Sequence, residues 1–178
     1  MTSSSGFTLP DLLISVAIMA SLSAIALPSY QRTVIKRHRA IARTAMLDLA
    51  GRQEDVRQSR RTYATNVGEL VGPADDAQAR IRYLDDSGVW TALPDKDSIY
   101  RVEVLEASTS ASSGVCGPAD PSSPVALSAR AIGVQAGDRS CQQLVLCFAG
   151  RPGAKAAIDD TGSTTPALRD TCWGIRSG

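Results

Sequence analysis

The chain reads as an α+β protein. One long N-terminal α-helix, transmembrane in its first half, packs on a small antiparallel β-sheet head. Three observations predict this. An uncharged apolar run spans Leu12 to Leu27. Behind it, Ile35, Ala42, Leu49 and Val56 recur every seven residues, with Ile41, Ala45 and Met46 on the same side. Beyond residue 100, short alternating segments are punctuated by Gly, Pro, Ser and Asp. A length of 178 residues with 43% apolar content bounds the chain to one domain with a modest core.

The helix begins near Pro10, since proline is tolerated in a first turn and pushes Leu9 away from helix. At 1.5 Å per residue the run from Leu12 to Leu27 covers about 24 Å, short of a ~30 Å hydrocarbon core. It lengthens if Phe7 to Leu9 count and Tyr30 anchors the interface. A cleaved secretory signal is opposed by the leader MTSSSG, which has no Lys or Arg, and by the poor cleavage site at Ala26-Leu27-Pro28. A plain anchor meets a conflict. The basic cluster after the span would be cytoplasmic by the positive-inside rule, whereas an even number of cysteines expects an oxidising compartment. Asp11 reads either as a first-turn acid favoured by the helix dipole or as a partner for a positive group on another subunit.

Tyr30 to Arg61 holds nine basic residues and three acids, a net of +6, so the rest of the chain sums to −5 against a total of +1. The run Lys36-Arg37-His38-Arg39 reads as a solvated face or a contact with lipid headgroups, with His38 a member of that polar face. The helix should end near Arg61. Short strands are expected around Ile81–Leu84 and Val89–Leu93, with Asp85-Asp86-Ser87-Gly88 turning between them. Tyr100, Val102 and Val104 make a half-buried strand, Val125 to Ala131 a second, and Leu144 to Phe148 a third, giving a meander of three or four strands. Ser108 to Pro124 reads as a long hairpin loop. The acid pairs lack the spacing of a calcium loop and read as turns.

Catalytic constellations are missing: there is no GxSxG, P-loop or GxGxxG, and His38 is the single histidine. The chain is therefore expected not to be an enzyme, and to need no metal or cofactor. Four cysteines, at 116, 141, 147 and 172, have no CxxC spacing and suggest disulfides, for which three pairings are possible.

Gly6-Phe7-Thr8-Leu9, an acid at the fifth position after Gly6, the apolar run and Ala26-Leu27-Pro28-Ser29-Tyr30-Gln31 together resemble the N-terminus of type IV pilins. The segment from Ala136 to Leu144 with Cys172-Trp173 is similar to the end of PilE-type minor pilins. The resemblance implies that a prepilin peptidase cuts after Gly6 and methylates Phe7 as the new N-terminus. Residues 1–6 are then a leader, 7–29 a membrane anchor and later filament core, and 30–62 the amphipathic half of the helix. Residues 63–99 form a connecting region, and 100–178 a sheet head with a disulfide-bonded C-terminal loop. Asp11 would neutralise a neighbour's terminal amine, and Pro28 would loosen the helix. Asp11 stands where the family usually has Glu, and Pro10 where it has a branched aliphatic, which suits a sparse or specialised subunit. The resemblance further implies a Cys141–Cys172 bridge; Cys116 and Cys147 then remain as the second pair, which is not part of the family's usual pattern.

The function so implied is that of a minor pilin, serving pilus biogenesis, adhesion, twitching motility or DNA uptake. Its partners would be other pilins, the peptidase and an inner-membrane assembly platform. It would sit in the inner membrane before assembly and in an extracellular pilus afterwards, with its head periplasmic or extracellular. A type II secretion pseudopilin shares the N-terminal helix and is one alternative. A DNA receptor for transformation is the other. Its candidate contacts are Arg130, Arg139, Arg151 and Lys155, with Arg169 and Arg176. The acidic balance of the head argues against strong non-specific DNA binding.

Overall fold

The computed structural model describes residues 8–72, 76, 78–106, 115–116, 124–149 and 152–175. It divides into two compact units, Met1–Arg37 and His38–Gly178. The helix α1, Leu9–Arg60, contributes to both and is continuous through Pro28. Thr8 caps it. Asp11, in the first turn, accepts hydrogen bonds from the Thr8 amide (3.1 Å) and hydroxyl (2.6 Å). The side chain thus reaches back to the residue before the helix, as the acid of a capping box does.

In the first unit the described side chains from Thr8 to Thr33 are all exposed. The most apolar 18 residues of α1 average a hydropathy of 2.1, and none of that window is buried. By length and composition the helix can cross a membrane.

In the second unit, Ala42, Met46 and Leu49 are fully buried, with Ile41, Ala45 and Val56 packed alongside. The buried stripe extends at helical spacing to His38 at one end and Gln53 at the other. His38 is therefore not part of a solvated polar face. It lies one turn before Ala42, only 5% exposed, with Nδ1 3.1 Å from Gln135 Oε1. Arg39 leaves the basic run as well, forking onto Asp138, which also accepts from Gln135 Nε2 at 3.0 Å. Burial holds the Tyr100 phenol, in the same group, well above its ordinary range, and Asp138 adds to the effect. At the other end, the Gln53 amide exchanges two hydrogen bonds with the backbone of Ala64, at 2.9 and 3.0 Å. That pins the chain as it leaves the helix. A short helix, α2, spans Gly68–Val71.

The sheet has six antiparallel strands in the order β2-β1-β3-β4-β5-β6. They are β1 Ile81–Asp85, β2 Trp90–Thr91, β3 Ser98–Glu106, β4 Pro124–Ala131, β5 Gln143–Cys147 and β6 Lys155–Ile158. The meander of three or four strands expected from sequence is thus extended on both sides. The hairpin β1–β2 joins one edge, so the sheet begins inside the region read as a connection, and β6 closes the other edge. One face packs on α1 through Leu84, Val102, Leu127, Ala129, Leu144 and Leu146. The opposite face carries a second cluster of Leu105, Val125, Ala126, Val145 and Ala156. Cys116 and Cys147 belong to it and are bonded to each other. Cover on both faces explains why all five residues of β5 are buried, and why Leu144 to Cys147 reads as an unbroken apolar run rather than an alternation.

The segment after β6 forms a further helix, α3, Pro166–Trp173, where sequence reading gave only a loop. Thr165 Oγ1 accepts from the Leu168 amide at 3.2 Å, and Pro166 occupies the first turn. Gly174 ends the helix at φ +66°, and a Cβ there would lie 2.0 Å from Arg43 Nη1. Trp173 Nε1 donates to Ala156 O at 2.8 Å, docking α3 on β6. The second bridge joins Cys172 of this helix to Cys141. Each bridge closes 31 residues of chain, worth about 3–4 kcal/mol in the chain-entropy account.

Candidate nucleic-acid interface

Strand alternation decides which side chains leave the core. Val102, Ala129 and Leu144 face α1, so their neighbours Arg101, Arg130 and Gln143 face the other way. The register then sets these residues side by side. Tyr83 pairs with Arg101, Arg101 with Arg130, Arg130 with Gln143, and Gln143 with Ile158. One row crosses five strands at about 4.8 Å per step.

Arg101 and Arg130 are directly opposite, and like charges in that position destabilise a sheet. Arg101 Nη2 donates to Glu103 at 2.9 Å, which offsets part of the cost. Its Nε is buried and has no hydrogen-bond partner among the described residues. Arg130 is exposed and forms no ion pair among the described residues. Arg80, also exposed, shares a cleft of about 270 Å³ with Arg101 and Thr65. A larger groove of about 640 Å³ lies on the β6 side of Arg130, lined by Gln142, Gln143, Ile158, Asp159 and Asp160. Its acidic rim is built by a turn. Asp159 Oδ1 accepts from the Thr161 hydroxyl at 2.7 Å and from the Thr161 and Ser163 amides at 2.9 Å. The Thr161 hydroxyl and then the Ser163 amide hold its carboxyl below the usual carboxylate range.

The structure separates the basic residues that sequence grouped together. Arg130 lies on the outward row, and Arg139, 87% exposed, has its Nε 4.0 Å from the groove residue Asp160. Lys155 is elsewhere: it pairs in register with the core residue Leu146, and its ammonium lies 5.3 Å from the Trp173 ring centre. Arg169 is paired with Asp170 at 2.7 Å. Arg151, Arg176, Gly6 and Phe7 lie outside the described residues. Asp11 is held by Thr8, as described above. Sequence reasoning missed Arg80 and Arg101. The alternation of Tyr100, Arg101 and Val102 marks Arg101 as outward, but only the register places it against Arg130.

No curated protein matches the chain in sequence. A family profile described as "Type IV minor pilin ComP, DNA uptake sequence receptor" matches residues 28–145, well over half of the chain. That span takes in the second half of α1, strands β1 to β4 and the start of β5, with Arg80, Arg101 and Arg130 among them. With its long N-terminal helix on an antiparallel sheet and its two disulfides, the chain belongs to this family of type IV minor pilins.

Proposed function

We propose that this minor pilin holds DNA on the cationic outer row of its head while its N-terminal helix is seated in a pilus. The observation that carries the reading is the Arg101–Arg130 pair. Two cations set against each other on the outer face of the sheet cost stability, and an anion spanning them removes that cost. Arg80 extends the charge beyond Arg101. The head's acidic sum is an average over its whole surface, and the register gathers cations locally despite it. The family's description as a DNA uptake sequence receptor points the same way.

On this reading a prepilin peptidase removes residues 1–6 and methylates Phe7. An inner-membrane platform passes the exposed apolar half of α1 from the bilayer to the fibre, and Asp11 meets a neighbour's amine there. The protein's work is binding, with no catalytic step.

The test is the salt dependence of duplex binding by the full chain in detergent, read by fluorescence anisotropy. Each phosphate contact contributes about 0.9 to the slope of log K against log salt. Replacing Arg101 and Arg130 together by Ala should weaken binding and lower the slope by about 1.8. No binding at low salt, or an unchanged slope in the double variant, contradicts the reading.

A further inference from the structure

A surface that held only phosphates would gain nothing from carboxylates, because they repel the backbone. Yet the groove on the β6 side sets Arg130 together with Asp159 and Asp160. A mixture of a cationic fork and acceptors does match base edges. Guanine presents O6 and N7, two acceptors that suit a guanidinium fork, while cytosine presents the N4 amino group, a donor that needs an acceptor.

We infer that this groove reads a G·C base pair, with the Arg130 guanidinium on the guanine edge and the Asp160 carboxylate accepting from cytosine N4. The inference rests on the DNA reading above and adds the part of the surface that distinguishes one sequence from another.

The remaining hydrogen bonds of the groove narrow the choice to this pair. Reading adenine takes an amide that offers a donor and an acceptor together. Gln142 has its amide nitrogen engaged twice, donating to Ala136 O at 2.7 Å and Asp138 O at 2.9 Å. It keeps only a carbonyl oxygen, a further acceptor. Gln143 is buried, with its amide nitrogen donating to Ser128 Oγ at 2.7 Å. Asp159 is committed to its turn through one oxygen. Asp160 is exposed, and its one ion pair among the described residues is the 4.0 Å approach of an Arg139 that is 87% exposed. A pair that open to water is weakly held and yields to a better donor. Arg130 and Asp160 are thus the groups free to change partners. Both line the one groove, where Gln143 and Ile158 follow Arg130 in register across β5 and β6.

The experiment is selection from a randomised duplex pool by the full chain in detergent, for the unaltered protein, Arg130→Lys and Asp160→Asn. Both residues are exposed, and neither substitution touches the core or the Asp159 turn. The unaltered protein should enrich a motif containing a G·C pair. Each variant should lose about tenfold of the preference at that same position. Total binding of the unselected pool is read beside the selection: a general loss of DNA binding moves both readouts together, whereas loss of base reading moves the preference at that position alone. Enrichment of the same motif with undiminished preference by both variants overturns the groove assignment, and so does the absence of any G·C preference in the unaltered protein. Failure of the unaltered protein to bind the pool at all overturns the DNA reading itself.

Discussion

Leu22 and Leu49 are the same residue type on one helix, yet the first is 63% exposed and the second fully buried. The contrast runs through both halves of α1. Leu12, Ile14, Ile18 and Ile25 are as open as Leu22, while Ala42 and Met46 are as closed as Leu49. The cations divide in the same direction, except Arg43, whose Nε donates to Arg39 O at 3.3 Å. Arg32, Lys36 and Arg37 are exposed and make no ion pair among the described residues, whereas Arg39, Arg52, Arg57 and Arg60 each pair with a carboxylate. The second half of the helix is satisfied by its own chain. The first half carries apolar area that needs a lipid bilayer or other subunits to cover it, and water does not suffice.

Substitutions can break this comparison, and the largest effect belongs to the core. Leu49→Ala should cost the head about 2–5 kcal/mol, seen as a lowered Tm in calorimetry of the full chain in detergent. Leu22→Ala should leave that Tm unchanged and instead reduce the amount of the protein in sheared pili. Equal losses of Tm in the two variants would erase the distinction. Next comes the bridge from Cys141 to Cys172. Replacing both by Ala should cost about 3–4 kcal/mol, measured as a lowered denaturant midpoint without reductant. The smallest effect compares two helix caps. Thr165→Ala removes the cap of α3 and should cost the head about 1 kcal/mol by the same denaturant measurement. Thr8→Ala, at the start of α1, should leave the head's midpoint where it was.

Much of the fold was legible because its signals are local. Ala42, Met46 and Leu49 recur at helical spacing, and Tyr100 to Val104 alternates, so the helix and the central strands could be read from neighbours alone. His38 was misread because the charges around it outweighed the spacing that ties it to Ala42. Strand β6 is four residues long, too short for a period to show. Helix α3 did carry its own signals, Thr165 before it, Pro166 at its start and Gly174 after it, and these mark a helix more plainly than a tail. The candidate site was half legible. Arg130 stands out as a cation on an alternating strand. Its juxtaposition with Arg101 depends on pairing across 29 residues of chain, which no local pattern encodes.

The central claim is that the exposed half of α1 is the part a fibre covers. It is tested most directly by the intact mass of this protein in pili sheared from cells, compared with the cell-bound fraction. The account predicts a chain in the sheared pili that begins at Phe7 and carries one added methyl group. A chain that keeps Met1 and is found only in the cell-bound fraction would contradict it.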